Sequence, residues 1–560
     1  MPAVFSAIVA ADAPVTVSRI MARTRSMLKV SHWLLILSAP LSAQTICAPT
    51  PAYSLCDLVF DAPAGATLQA EVRSPKHKTF LMPAFVSAPG KMTVRVSPTD
   101  AGQWDFRVTS SLPQYNGKTG SFEALPNDHP GFVVPANLRH WATGEDKQPH
   151  LWLGATGGDP ATLLRQKFNH VRLVWDEKKV DEVEQQMRAY NERRITVDLV
   201  VSDLPTMWQE REKALRYLVG RFAAFNITWQ LRGPRATLKE TGLALKKMDP
   251  YGHPRTGVTT DTSAPLLADG WANHIAYSTV DDQLGAIEHQ LYTVPKVSIA
   301  LEEGNDPEAF RKRLWNMWCN GQYPTVKLAS EKGAKYVLAW QELFARTRHW
   351  DLEPYFDLDG ARAVALEDVE YIVYIENPNV PVEVVVEKHS YHVYWFNPLT
   401  GDYLKQKKDW KGEKFIAEPP SKDHDWVLHL SRDGKKEGML KSYRFAAGEP
   451  MVQELEMVEK LVPFEMTEPK VDTVSLTAAL PFSIKMKKPT RATRTMMFLW
   501  TGEVVTGGQG ARVLGTGPNG QLKIPPDIAT KLPAVMSLRV VGMNANGKIY
   551  AADKVIRLTQ

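Results

Sequence analysis

The sequence predicts a multidomain protein of α/β plus β class, in which a (β/α)8 TIM-like barrel is flanked by β-sandwich domains. Three observations predict this. The chain has 560 residues, enough for three to five domains at about 100–200 residues each. Strand and helix patterns alternate in its central region, and short alternating strands lie on both sides of that region. Apolar residues make up 44% and charged residues 23%, which is typical of a globular chain.

Residues 1–43 have the pattern of a signal peptide and leader. Arg23, Arg25 and Lys29 precede the apolar stretch 33–37, and small residues follow it as far as Ala43. This is the order of regions in a secretory signal, and the apolar run is too short to span a bilayer. We therefore expect cleavage near Ala43 and a secreted, periplasmic or extracellular protein without a membrane span.

Charge and cysteine content exclude several classes of protein. The formal net charge is +5, from 67 basic and 62 acidic residues, which is too close to neutral for a nucleic-acid-binding protein of this size. Three cysteines are too few for a disulfide scaffold or a cysteine-based zinc site. Cys47 and Cys56 could pair in an oxidising compartment, and Cys319 would then be a buried thiol. Neither a metal nor a cofactor is predicted.

Residues 44–128 are predicted to form an N-terminal β-sandwich. The alternating strand 92–96 and the strand 104–108 are joined by the turn sequence 97–102, so they form a hairpin. Two further β modules are predicted after the barrel. One is a β-sandwich at 356–447, and the other is an Ig-like β domain at 448–560 that ends in a hairpin around Asn546-Gly547.

Residues 129–355 are predicted to form the barrel. Strands at 171–175, 195–201 and 226–231 alternate with amphipathic helix patterns at 178–193 and 208–224. Such an alternation implies right-handed crossovers and a parallel sheet, and a (β/α)8 barrel is the economical closure for this length. An open doubly wound sheet is the alternative, but no glycine-rich phosphate turn follows any strand.

Several strings resemble secreted apiosidase-like glycoside hydrolases, in which a β-sandwich precedes the barrel and a collagen-binding-like β domain follows it. The strings are 94–106 in the sandwich, Leu151 to Thr156 at the first barrel strand, Asp249 to Pro254 in the mid-barrel loop, and 395–401 with 425–428 in the trailing domain. The resemblance covers about residues 50–435. It implies a glycosidase that uses carboxylates at the ends of barrel strands on a carbohydrate substrate.

Glu302 and Glu303 are the candidate catalytic residues. They lie at the end of the predicted strand 296–304, which by the resemblance carries the family's nucleophile, and Glu302 occupies the expected position. Glu303 is the alternative because the parity of a strand is uncertain by one residue. Both residues could instead be solvated acids that open the loop toward Asp306.

The expected second acid is absent from its place after the strand 227–231. Related barrels have an acid two or three residues after that strand, whereas this chain reads Arg232-Gly233-Pro234-Arg235. Proline cannot transfer a proton through its side chain, and nearby arginines would lower the pKa of a carboxyl group. Either the acid comes from elsewhere or the barrel has stopped hydrolysing, and losing a general acid typically costs about 10²–10⁴-fold in rate.

Five residues are candidate substrate-binding residues because they are predicted to lie at strand ends or in long loops: Asp176, Trp229, Arg232, His253 and Trp271. Each has a structural alternative. Asp176 could cap a helix, His253 could be a structural loop residue, and the tryptophans could pack inside the barrel rather than stack on a sugar.

Three hypotheses about function follow from the sequence. The first is an exported glycoside hydrolase-like protein that acts on polysaccharide. The second is a non-catalytic glycan-binding or scaffold protein descended from such an enzyme. The third is a structural cell-surface protein with an inert barrel.

Overall fold

A computed structural model of the chain describes residues 44–440, 451–452, 462–488, 496–508 and 510–560. The signal peptide predicted over residues 1–43 lies outside the described residues, as does part of the predicted domain 448–560. A search of the described helices for one long and apolar enough to cross a membrane finds none.

The N-terminal region is a sandwich of two sheets, as the sequence predicts. One sheet has the order β1-β3-β7-β6 and the other β2-β9-β8-β4-β5, and their inner faces enclose a core that includes Phe60, Val94 and Trp104. Cys47 and Cys56 form the expected disulfide, with a Cα–Cα distance of 5.3 Å. The strands are β1 (Gln44–Thr45), β2 (Thr50–Pro51), β3 (Cys56–Asp61), β4 (Leu68–Arg73), β5 (Thr79–Pro83), β6 (Phe85–Ala88), β7 (Lys91–Val96), β8 (Gly102–Ser110) and β9 (Thr119–Leu125).

The central region is a nearly closed barrel of eight parallel strands, which confirms the predicted fold class. A three-stranded sheet precedes it, formed by β10 (Val133–Ala136), β11 (His140–Thr143) and β12 (Gln148–Pro149). The barrel strands are β13 (Gly154–Thr156), β14 (His170–Val174), β15 (Thr196–Val201), β16 (Ile227–Leu231), β17 (Arg255–Gly257), β18 (Ile275–Tyr277), β20 (Lys296–Glu302) and β21 (Gln322–Lys327). Between β18 and β20, β19 (Tyr292–Thr293) pairs with β30 (Met451–Val452).

Closure of the barrel rests on two junctions. The first strand, β13, pairs with the last, β21. At the other side β17 and β18, each three residues long, meet through the Asn273 N–H donating to the Arg255 carbonyl at 3.0 Å. The Thr256 hydroxyl also donates to the His274 carbonyl at 2.8 Å. These bonds replace the strand ladder that such short strands cannot supply.

Helices follow the strands, as a (β/α)8 order requires. They are α1 (Pro160–Arg165), α2 (Val180–Asn191), α3 (Trp208–Phe222), α4 (Arg235–Met248), α5 (Asp282–Leu291), α6 (Pro307–Cys319) and α7 (Glu331–Phe344), while the 3-10 helix Ala264–Asp269 takes the place of a helix after β17. Side-chain caps at Asp159, Asp281, Asp306 and Ser330 fix where four of these helices begin. Cys319, at the end of α6, is a buried free thiol, as expected.

Two β-rich regions complete the chain. The first comprises β22 (Glu353–Tyr355), β23 (Leu358–Asp359), β24 (Arg362–Leu366), β25 (Glu370–Ile375), β26 (Val382–Phe396), β27 (Tyr403–Lys405), β28 (Trp410–Ala417), β29 (Trp426–Ser431) and the helix α8 (Asp433–Leu440). The second has two sheets around a common core. Its strands are β31 (Phe464–Glu468), β32 (Thr473–Ser475), β33 (Leu480–Met486), β34 (Met497–Val504), β35 (Arg512–Thr516), β36 (Asn519–Leu522), β37 (Ala534–Met543) and β38 (Ile549–Thr559).

A buried ion pair joins the barrel to the first of these regions. Arg311 of α6 binds Asp425 through Nη2 at 2.6 Å and Nε at 3.1 Å. The hydroxyl of Tyr374 donates to the same carboxylate at 2.8 Å. Both charged side chains are at most 2% exposed, so neither group can turn to water if its partner is removed.

We predict that Asp425→Ala lowers the free energy of unfolding by about 3 kcal/mol, because it leaves the Arg311 guanidinium buried with only Glu308 as its carboxylate partner. Asp423→Ala is the control, since Asp423 is exposed and its loss should change stability by less than about 0.5 kcal/mol. Urea denaturation followed by circular dichroism measures both. Equal effects of the two substitutions would contradict the assignment.

Candidate active site

Bulky side chains fill part of the barrel interior. Trp152 stacks on His170 of β14 at 3.4 Å between ring centroids and lies 6.4 Å from His274, beside β18. Its Nε1–H donates to the Thr325 hydroxyl of β21 at 3.2 Å. Trp152 precedes β13 and thus contacts side chains of both neighbouring strands, β14 and β21, as well as His274 beside β18, two strands further round the barrel. These contacts place Trp152, His170 and Thr325 on the inner face.

A chain of hydrogen bonds runs through this inner layer. His150 and His170 meet through their Nε2 atoms at 2.9 Å, and His170 Nδ1 lies 2.9 Å from Asp198 Oδ1. The Thr228 hydroxyl donates to the same oxygen at 2.9 Å. Burial raises the pKa of Asp198 well above its usual range and lowers the pKa of both histidines. Burial thus opposes charge on all three side chains, and we refer to this inner layer as the plug.

The inner positions above the plug carry mainly basic side chains. Arg172 of β14 donates from Nε to Gln230 of β16 at 2.8 Å. Two residues beyond Gln230, Arg232 continues the same inward-facing series and is exposed. On the opposite wall Glu302 and Lys327 are in register at the ends of β20 and β21, with Lys327 Nζ 3.5 Å from a Glu302 carboxylate oxygen.

The structure shows which of the two candidate catalytic glutamates faces the barrel interior. Because Thr325 faces inward, Lys327 two residues later also faces inward, and so does Glu302, its register partner. The Glu302 side chain is 61% exposed at the rim of the barrel. Glu303 points the other way, toward the helices, and its side chain is buried.

Glu303 binds the segment that leads into the last barrel helix. Its carboxylate accepts hydrogen bonds from the N–H groups of Ala329 at 2.6 Å and Ser330 at 2.9 Å, and from the Ser330 hydroxyl. Burial by itself would raise the pKa of Glu303, but the bonds from Ser330 and the backbone outweigh burial and lower the pKa. These contacts give Glu303 a structural role at the start of α7.

The predicted substrate-binding residues are not gathered in one place. Asp176 accepts the Lys178 N–H at 2.9 Å and caps the 3-10 helix Glu177–Lys179, the alternative role that the sequence suggested. Arg232 lies at the mouth of the barrel. The other three, Trp229, His253 and Trp271, are each 1% exposed.

Those three residues pack around the loop between α4 and β17. Trp229 Nε1–H donates to Asp249 at 3.1 Å, and His253 contacts the same carboxylate through Nδ1 at 3.1 Å. A Cβ on Gly242 of α4 would lie 2.1 Å from the Trp271 ring, so this indole fills the surface of that helix. With 1% exposure none of them presents a face on which a sugar could stack. All three are packed inside the protein, Trp229 and His253 around Asp249 and Trp271 against α4.

A cleft of about 740 Å³ opens beside the mouth of the barrel. Its walls come from the segments that follow β16, β17 and β18 and from the last β region, between β35 and Asp527. In barrels of this type the segments that follow the strands build the active site. The charged residues of the wall are Arg232, Arg235, Asp261, Asp281, Arg512, Lys523 and Asp527.

Two of the acids in the cleft interact. Asp281 caps α5 by accepting the Leu284 N–H at 2.9 Å, and its other oxygen accepts the Thr516 hydroxyl of β35 at 2.6 Å. Asp261 is half-buried. Burial raises the pKa of Asp261, the charge of Asp281 raises it further, and Arg512 opposes the change. A half-buried acid with a raised pKa beside a fixed carboxylate is a common arrangement for proton donation.

The sequence offered little signal for Asp261. The strand before it, β17, has only three residues, too few for an alternation pattern, and Asp281 has a structural role as the cap of α5. The neighbourhood of the two acids depends on how two loops and a distant β region meet.

No family model matches the chain, and no curated protein matches it. Among solved structures, a candidate glycoside hydrolase from Bacteroides vulgatus ATCC 8482 is similar with a TM-score of 0.56 and 14% identity, over 69% of this chain and 99% of that one. A type I pullulanase from Bacillus subtilis str. 168 is similar with a TM-score of 0.34 and 11% identity, over 69% of this chain and 85% of that one. The chain therefore has a glycoside hydrolase-like fold.

We predict that Glu303→Gln removes stability at neutral pH but little at acid pH. A carboxylate whose pKa is lowered by folding stabilises the protein above the pKa of an unfolded glutamate, about 4.3, and this contribution is lost as the pH falls through the folded pKa. The difference in unfolding free energy between wild type and Glu303→Gln should thus shrink from pH 7 to pH 3. Denaturant titrations across this range measure it, and a constant difference would contradict the role of the charge.

Proposed function

We propose that this protein is an exported glycoside hydrolase that cleaves polysaccharide in the cleft beside the barrel mouth, with Asp261 as the proton donor. The observation that carries the proposal is the pairing of half-buried Asp261 with Asp281 in the cleft. The glycoside hydrolase-like fold supports the class of reaction. The proposed export is supported by the pattern of residues 1–43 and by the Cys47–Cys56 disulfide, since disulfides persist in oxidising compartments.

The two acids would take different roles in glycosidic bond cleavage. Protonated Asp261 donates its proton to the glycosidic oxygen as the bond to the leaving sugar breaks. The Asp281 carboxylate is fixed by the N–H of Leu284 and the hydroxyl of Thr516. It supplies negative charge next to the positive charge that develops on the sugar ring in the transition state.

Glu302 is the competing location for the chemistry. Its position at the end of β20 fits the nucleophile that the resemblance implies, and it faces the barrel axis. Its carboxylate is exposed and paired with Lys327, however, and it is not part of the cleft wall. Across the mouth, the position expected for its partner acid is Pro234, which precedes α4.

A second candidate function is glycan binding without hydrolysis. Pro234 favours it, because the place where related barrels carry an acid has no side chain able to transfer a proton. Both oxygens of Asp281 already accept hydrogen bonds, which also suits a structural carboxylate. The two functions differ in whether Asp261 is needed for release of sugar or only for the shape of the cleft.

We predict that Asp261→Asn lowers the release of reducing sugar from a susceptible polysaccharide by about 10²–10⁴-fold, because the proton donor is lost. Asp105→Asn, an exposed substitution in the N-terminal sandwich, is the matched control and should leave release unchanged. Glu302→Gln tests the competing location, and it should retain most of the activity. If Glu302→Gln abolishes the release of reducing sugar and Asp261→Asn does not, the active site lies at the end of β20. If the wild type binds polysaccharide without releasing sugar, the second function is favoured.

The pH profile tests the link between the two acids. Asp261 must be protonated to act, so kcat/KM should fall on the alkaline side with an apparent pKa above about 3.9, the ordinary value for aspartate. Asp281→Asn removes the neighbouring negative charge while asparagine still caps α5. The alkaline limb should therefore move to lower pH in this variant. A limb that stays in place would show that Asp281 does not act on the proton donor.

A further inference from the structure

Two arginines at the mouth of the barrel form no hydrogen bond with an acid among the described residues, although the charge of Asp198 raises the pKa of Arg172. Arg172 and Arg232 lie on the inner faces of β14 and of the end of β16, and they are close enough for the charge of Arg232 to lower the pKa of Arg172. Neither forms an ion pair within the part of the chain that the structure describes. This contrasts with Arg235 and Arg512 of the same cleft, which bind Asp269 and Asp527.

Arg172 is held in place with part of its guanidinium unsatisfied. Its Nε donates to Gln230 at 2.8 Å, but Nη2 is buried without a hydrogen-bond partner. Asp198, in register with Arg172 on β15, directs Oδ1 to His170 and Thr228 rather than to the arginine. Asp198 and Arg172 attract each other, but burial opposes the charge of both groups, because it raises the pKa of Asp198 and lowers the pKa of Arg172. A partly buried guanidinium group with an unpaired donor destabilises the protein unless an anion binds to it.

Arg232 extends this unpaired charge into the cleft. It is exposed and lines the same wall as Asp261. Lys523, which the last β region contributes to the cleft, is likewise exposed and has no ion pair among the described residues. Positive charge therefore extends from the barrel axis across the cleft, next to the proposed proton donor.

We propose that the carbohydrate bound in this cleft is anionic, and that Arg172 and Arg232 together bind a carboxylate or sulfate group on one of its sugars. The planar donors of guanidinium groups match the two oxygens of a carboxylate or a sulfate ester. Nη1 of Arg172 supplies the inner contact, because Nη2 is buried, and Arg232 supplies the outer contact. The proposal rests on the proposed function for its site, and it adds the charge of the substrate.

Binding measurements on the full chain test this inference independently of hydrolysis. Isothermal titration with oligogalacturonides is compared with their methyl esters, which have the same sugars and linkages without the charge. To test a sulfate group, binding of dextran sulfate is compared with binding of dextran. We expect one anionic ligand to bind at least tenfold more tightly than its neutral counterpart, with affinity that falls as salt is added.

The variant Arg232→Gln should weaken binding of that anionic ligand by about 10- to 100-fold, as expected for loss of charged hydrogen bonds, and leave binding of the neutral ligand unchanged. Arg172→Lys keeps the charge but loses the planar donors, so it should weaken binding of the same ligand at least tenfold. It is a second, milder variant that tests the inner contact. Arg216→Gln is the charge-matched control, because Arg216 is exposed on α3 and paired with Glu212. It should bind like the wild type.

Preference for the oligogalacturonide assigns the site to a carboxylate, and preference for dextran sulfate assigns it to a sulfate. Equal binding of charged and neutral ligands, no binding of either anionic ligand, or equal effects of Arg232→Gln and Arg216→Gln would overturn the inference. Retained anion binding with no hydrolysis would refute only the proposed activity. Hydrolysis that depends on Asp261 but not on substrate charge would refute only the anion site.

Discussion

Closure of eight parallel strands is the constraint on which the rest of this structure depends. Pairing of β13 with β21 forces alternate side chains of every strand inward. The inner residues must therefore either fill the barrel or face its mouth. Lower in the barrel they form the plug around Trp152, His170 and Asp198. At the rim the same alternation places Arg172, Gln230 and Arg232 on one wall and Glu302 with Lys327 on the other.

The rim also shows how this barrel differs from the expected arrangement, in which one acid follows β16 and another lies at the end of β20. After β16 the chain carries Arg232 and then Pro234, which precedes α4. Acidic groups come instead from the segments after β17 and β18, as Asp261 and Asp281. The last β region completes this side of the cleft, because the Thr516 hydroxyl binds Asp281. A module that follows the barrel in sequence thus shapes the proposed site.

Charge is distributed unequally between the layers of the barrel. Burial opposes ionisation in the histidine and aspartate layer, which lies below the charged groups at the open end. Basic residues outnumber acids among the inward-facing rim residues discussed above. This imbalance links the proposed acid chemistry of Asp261 to a substrate that brings its own negative charge.

The sequence by itself determined the fold class and offered the Cys47–Cys56 pairing as an option, because strand alternation, helix spacing and cysteine spacing are local patterns. The sequence also showed that Pro234 stands at the position where an acid was expected. It could not decide between Glu302 and Glu303, because one residue of strand parity reverses the direction of a side chain, and only the register with β21 resolved it. Trp229 and His253 could equally have faced a ligand or a core until Asp249 was found between them. The Asp261–Asp281 pair and the unpaired donor of Arg172 depend on contacts between segments far apart in the chain. Local sequence patterns cannot predict such contacts.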